Sequence, residues 1–221
     1  MTPLRCWRCG DPVLGGDLCR ACGVLQPFPE GIDHFAIFGL SRRLGLDPKG
    51  LEASFHALSR RFHPDFYQTQ GPEARAISLE NSARLNVAYR TLRDPISRLE
   101  YLLELEGLPV GTPSNPPGEL FEEILELQEA RQEFRATKSL ELQNRLTGAL
   151  GDLEDRKTDL EDELFGLFEE WDRFLSEDGE RTERQRKLLE RMRGILATRA
   201  YLRTVTRDLS EELTGPKWHE T

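Results

Sequence analysis

Four cysteines open the chain in the pattern Cys6-x2-Cys9-x9-Cys19-x2-Cys22. Two CxxC pairs can set four thiolates tetrahedrally around Zn²⁺, and Gly10 and Gly23, directly after each pair, allow the tight turns this needs. All four positions would be protein ligands, which leaves none for water and makes the ion structural. Iron shares the same ligand set. Two disulfides would call for an oxidising compartment, and a redox CxxC belongs on a βαβ unit, for which the sequence has no pattern.

A second group is His63-Pro64-Asp65. Leu51, Phe55, Leu58 and Phe62 recur at helical spacing just before it, and Lys49, His56 and Arg60 fall on the opposite, free face. Pro64 stops this helix near Phe62 and stiffens the loop, so His63 and Asp65 point outward. A rigid carboxylate beside a cationic helix face suits docking to a partner of complementary charge. The simpler reading is a turn joining two helices.

A third group lies on a helix of about 18 residues expected from Glu119. Leu120, Ile124, Leu127 and Phe134 share its core face. Phe121 and Leu125 lie about 100° away, among Glu122, Glu126 and Glu129. Apolar side chains off the core stripe and ringed by carboxylates suggest a partner surface. Ordinary packing under a neighbouring helix is the alternative.

The elements that position these groups are helical. Asp47-Pro48 and Asp94-Pro95 each supply an N-cap and a helix-opening proline. A helix carrying Ala74, Ile77, Leu85, Ala88 and Leu92 lies between them. Ile96, Leu99, Leu102 and Leu103 follow the second cap. Residues 107–118 hold four prolines and three glycines and read as a linker. Beyond it, Leu146, Leu150, Leu153, Leu160, Leu164, Leu167, Trp171 and Phe174 follow a 4-3 heptad, as do Leu188, Met192, Ile195, Leu202, Leu209 and Leu213. Lys157 breaks the first stripe, Arg199 and Thr206 break the second, and Ser176–Thr182 is the expected turn. The expected architecture is all-α. It comprises a small zinc-knuckle segment (1–30), a helical hairpin unit (31–106), the linker, and a three-helix bundle of coiled-coil character (119–214).

Composition narrows the function. The chain has 221 residues, a net charge of -9, 38% hydrophobic and 31% charged residues. The charge is uneven: residues 1–112 hold 13 basic and 13 acidic residues, and residues 113–221 hold 17 and 26. An acidic bundle disfavours nucleic acid. No run of about 18 apolar residues predicts a membrane span, and no targeting peptide is visible, so a reducing, cytoplasmic location is expected. The absence of GxxxxGK[ST], GxGxxG and HExxH argues against an intrinsic NTPase, a Rossmann oxidoreductase or a zinc protease.

Taken together, several motifs resemble a J-domain, and more narrowly that of the HscB family of iron–sulfur co-chaperones. They are Asp33-His34-Phe35 with Phe38-Gly39-Leu40, Phe62-His63-Pro64-Asp65, Asn86-x-Ala88-Tyr89-x-x-Leu92 and Asp94-Pro95-x-x-Arg98-x-x-Tyr101-Leu102-Leu103. The C-terminal bundle resembles that family's second domain. Cys6-Trp7-Arg8-Cys9-Gly10 with Cys19-x-x-Cys22 resembles the zinc-binding extension of some members. The resemblance implies a non-enzymatic co-chaperone. His63, Pro64 and Asp65, with Arg60, His56 and Lys49, would engage an Hsp70-type chaperone and stimulate its ATP hydrolysis. Phe121, Leu125, Glu122, Glu126 and Glu129 would bind the iron–sulfur scaffold protein. The family also places an aromatic of the last helix at that site, where this chain has Thr198, with Tyr201 one turn on. A general J-domain adaptor, or a zinc-knuckle protein associated with nucleic acid, is the alternative.

Overall fold

The computed structural model describes residues 5–13, 16–111, 118–175 and 183–214. The expected turn at Ser176–Thr182 and residues 112–117 of the expected linker lie outside them. Among the described residues the chain is helical, with two isolated β-bridges, Arg5 to Pro12 and Leu18 to Leu25, and no strand. None of the described helices is long and apolar enough to cross a membrane. The chain divides into two compact units, Met1–Leu102 and Leu103–Thr221.

In the first unit, helix α1 spans His34–Ile37, α2 Pro48–Arg61 and α3 Pro72–Arg93, and α4 (Pro95–Leu105) begins there. Side-chain caps set the starts. Asp33 accepts from the Ala36 N–H, Asp47 from the N–H groups of Lys49 and Gly50, and Asp94 from Ser97. A 3-10 turn, Pro64–Tyr67, joins α2 to α3. The core brings Ile37, Phe62, Tyr67, Ala74, Leu85 and Ala88 together with Leu25 from the cysteine segment. Polar residues share the buried stripe of α3: Ser78 and Asn81 are as buried as their apolar neighbours.

Gly107, in the left-handed region at φ 72°, ends α4, with hydrogen bonds from Gly107 N–H to Glu104 O and Leu108 N–H to Leu103 O. The second unit holds α5 (Phe121–Thr137), α6 (Leu140–Phe174) and α7 (Glu183–Thr214). Leu120, Ile124, Leu127, Ala130 and Phe134 form one core with Leu146 and Leu153 of α6 and with Leu202 and Leu209 of α7. Trp171, Phe174 and Met192 are buried, as the heptad pattern predicts. The α7 stripe differs from its expected register. Leu189 and Leu196 are buried, and Ile195 is only half-buried. The departure is local: Leu188, Met192, Leu202 and Leu209 are buried at their expected places, and Leu189 and Leu196 widen the buried stripe on either side of Met192. Thr206 stays in the core despite its hydroxyl, which bonds the Arg203 carbonyl. Arg199 leaves the core stripe to pair with Glu161 at 2.6 Å.

Candidate functional site

The four cysteines converge. Their Sγ atoms all lie within 4.8 Å of one another, with Cys6 to Cys22 at 3.6 Å and Cys9 to Cys19 at 3.7 Å. Metal–sulfur bonds of about 2.3 Å in a tetrahedron require S···S edges of about 3.8 Å, so the donor set fits a thiolate-bound metal ion, zinc or iron alike. Two matching turns make the site. Gly10 N–H donates to Cys6 O and Gly23 N–H to Cys19 O, and both glycines sit at positive φ, 78° and 70°. Asp11 and Val24 carbonyls accept from the Cys6 and Cys19 amides. Around Cys6, burial opposes the thiolate, but the backbone N–H groups of Cys9 and Arg8 and neighbouring thiols favour it and hold its pKa at about 6. At Cys9 the Asp11 backbone favours the thiolate, yet burial and the three other sulfurs push its pKa up to about 12. Thiols this crowded cannot all ionise together unless a cation sits among them.

The His63-Pro64-Asp65 loop is exposed and held from behind. Asp65 N–H donates to His63 Nδ1 at 3.3 Å, and the same nitrogen lies 3.4 Å from Asp65 Oδ2. Asp65 Oδ1 accepts from Gln68 Nε2 at 3.1 Å. His63, Asp65, His56, Arg60, Ser59 and Phe66 line one surface groove. Lys49 is exposed on the first turn of α2, away from that groove.

Several supporting residues were not anticipated from sequence. Phe66 is 65% exposed and meets His63 edge-on, with centroids 6.2 Å apart. Behind the loop, Ser78 Oγ and Ser82 Oγ both donate to the Phe62 carbonyl, at 2.6 and 2.9 Å, and Tyr67 Oη donates to the Arg61 carbonyl at 2.9 Å. A hydroxyl within the apolar stripe of α3 was the one sequence signal available for Ser78.

On α5, Phe121 is 53% and Leu125 48% exposed, while Ile124 and Leu127 are buried. Glu122, Glu126 and Glu129 are exposed along the same helix. Among the described residues no helix covers Phe121 or Leu125. Arg145 approaches Glu126 at 3.7 Å with both side chains largely in solvent, a weak contact that leaves the carboxylate available. On the last helix, Tyr201 is half-buried against the bundle core, and the Thr198 hydroxyl bonds its own helix at Gly194.

No family model matches the chain. The iron–sulfur cluster co-chaperone protein HscB homolog of Arabidopsis thaliana is 34% identical over 138 residues, covering 61% of this chain and 54% of that protein. The chain thus spans about half the length of that relative. The co-chaperone protein HscB homolog of Paraburkholderia phymatum is 33% identical over 127 residues, covering 56% of this chain and 70% of that protein. In fold, the chain is similar to human co-chaperone protein HscB, with a TM-score of 0.68 at 24% identity over 94% of this chain and 97% of that one. The Paraburkholderia match, at this identity over 70% of that protein, establishes that the chain belongs to the HscB co-chaperone family.

Proposed function

We propose that this protein is a non-enzymatic co-chaperone of iron–sulfur cluster biogenesis. It stimulates the ATPase of an Hsp70-type chaperone through the first unit and delivers the iron–sulfur scaffold protein bound to the bundle. The observation that carries this reading is the groove in which His63 and Asp65 stand in solvent beside His56 and Arg60, on a backbone anchored from behind. Its chemistry is recognition. A fixed carboxylate next to cationic side chains can take charge-assisted hydrogen bonds from a partner without first ordering a loop, which lowers the entropic cost of binding.

The scaffold surface in this reading is Phe121 and Leu125 within the carboxylates of Glu122, Glu126 and Glu129. Two exposed apolar anchors with a charged rim have the composition of a small binding hot spot. Cys6, Cys9, Cys19 and Cys22 would hold Zn²⁺, which would cross-link a segment too small to keep its shape by packing. The acidic bundle disfavours a phosphate backbone as partner, and the unpaired thiols suit a reducing, cytoplasmic setting.

The test is the steady-state ATPase of an Hsp70-type chaperone with the parent protein and with Asp65→Asn. The parent raises turnover; the variant, isosteric but uncharged, loses at least about tenfold of that stimulation while binding the scaffold with parental affinity. Full stimulation by the variant would refute the assignment of the loop.

A further inference from the structure

The cysteine segment reaches the two residues that immediately precede His63. Asp17, two residues before Cys19, pairs with the Arg61 guanidinium at 2.8 Å. Phe28, just beyond the second CxxC pair, meets the Phe62 ring edge-on, with centroids 5.1 Å apart and planes at 82°. Leu25 is fully buried in the same core as Phe62.

A strap from Gln26 to Pro29 fixes this approach to α3. Asn81 accepts from Phe28 N–H at 3.0 Å and donates to Gln26 O at 2.9 Å; Arg84 donates to the carbonyls of Phe28 and Pro29 at 3.2 Å each. The other end of the strap is tied to the cysteines. Gln26 Nε2 donates to Cys6 Sγ at 3.4 Å, and Trp7 Nε1 donates to Leu25 O at 2.7 Å. Among the described residues the knuckle's own apolar cluster is Cys6, Cys19 and Val24, with Val13 and Cys22 against it. So few groups cannot hold the segment in shape without a cross-link. Whatever organises the four thiolates therefore also organises Asp17 and the strap.

We infer that the tetracysteine segment is a positioning element for the His63-Pro64-Asp65 loop, acting through Asp17 on Arg61 and through Phe28 on Phe62. This rests on the reading of that loop as the chaperone-binding element. The loop backbone is then gripped from two sides: Ser78, Ser82 and Tyr67 hold the Arg61 and Phe62 carbonyls, and the cysteine segment holds their side chains. A local opening that frees either side chain loosens the loop without unfolding the unit.

Amide hydrogen exchange on the full-length, Zn²⁺-loaded chain tests this at Phe62, His63 and Phe66, whose N–H groups are hydrogen-bonded to Leu58, Arg60 and His63 carbonyls. Asp17→Asn should speed exchange there about threefold and Phe28→Ala about tenfold, with one Zn²⁺ retained and α7 unaffected. Asp17→Glu should stay within about twofold of the parent, because it keeps the charge on Arg61. Stripping Zn²⁺ from the parent with EDTA should raise exchange at least as much as Phe28→Ala. Unchanged exchange at these three amides in both variants would overturn the inference, as would an equal rise at every amide of α2 and α3. Exchange needs no partner. If the parent fails to stimulate an Hsp70 ATPase, the functional reading fails while the exchange data still judge the coupling.

Discussion

The two units of this chain are held together by different means. In the first, a small apolar core is supplemented at points: side chains cap helix starts, and single hydroxyls, amides and guanidinium groups bind chosen backbone carbonyls. In the second, two helices of 35 and 32 residues and the shorter α5 are zipped along leucine stripes and laced by Arg–Glu pairs such as Arg191 to Glu163 and Arg199 to Glu161, both at 2.6 Å. The difference matches what each unit would present in the proposed function. A loop whose one carboxylate must meet a partner in a set geometry needs its backbone pinned. A helix face offering Phe121, Leu125 and a rim of glutamates needs only a stable helix to stand on. Point contacts give precision at the expense of redundancy, and distributed packing does the reverse.

That contrast can be broken most severely at Trp171, which is 1% exposed. Trp171→Ala should cost the bundle about 3–5 kcal/mol, read from urea unfolding by circular dichroism. A loss below about 1 kcal/mol would mean that the bundle's packing is looser than its leucine stripes imply.

The next largest effect tests the pinning. Ser78→Ala with Ser82→Ala leaves the buried Phe62 carbonyl without either donor and should cost about 2–3 kcal/mol in stability. Stimulation of the chaperone ATPase should fall with it at temperatures where the variant is still folded. Retained stimulation would show that the loop does not need its rear anchors.

The α5 surface comes third. Phe121→Ala with Leu125→Ala should weaken scaffold binding about tenfold by titration calorimetry and leave the helical circular dichroism signal unchanged, since both side chains already stand in solvent. Unchanged affinity would remove these residues from the binding surface.

Glu212 supplies the smallest and most specific test of the lacing. Hydrogen bonds from Arg135 and Arg131 hold its carboxyl below the ordinary carboxylate pKa, against the opposing effect of burial. A depressed folded-state pKa contributes stability above the unfolded value of about 4.5, and that stability is lost as the pH falls through the folded value. Glu212→Gln should therefore cost about 1 kcal/mol near pH 7, modest because Arg135 is 61% exposed, and the parent and variant should converge in acid. A difference that persists below pH 3 would assign the effect to packing.

Much of this was legible in the residues because the signals were local. Asp47-Pro48 and Asp94-Pro95 announce helix starts within two residues, the CxxC spacing carries its own ligand geometry, and repeated leucines define the bundle faces. The exposure of Phe121 and Leu125 followed from their angle to the core stripe. The supports of the loop were not legible. Asp17 meets Arg61, Asn81 meets Gln26 and Phe28, and Ser78 meets Phe62 across 16 to 55 residues of chain. Tertiary hydrogen bonds of this kind leave no periodicity behind them. Leu189 and Leu196 were missed for another reason: a two-position seam is narrower than the face α7 buries, which takes in Leu189 beside Leu188 and Leu196 beside Ile195.

The central claim is that one chain joins a chaperone-stimulating surface to a scaffold-binding surface, and mixing tests it most directly. Asp65→Asn lacks the first surface, and Phe121→Ala with Leu125→Ala lacks the second. Scaffold-enhanced ATPase of the Hsp70-type chaperone is measured with each protein alone and with the two in equal amounts. Delivery by a single chain predicts that the mixture stays far below the parent, near the level of the variants alone. Recovery of parental activity in the mixture would contradict it, showing that the two surfaces act independently.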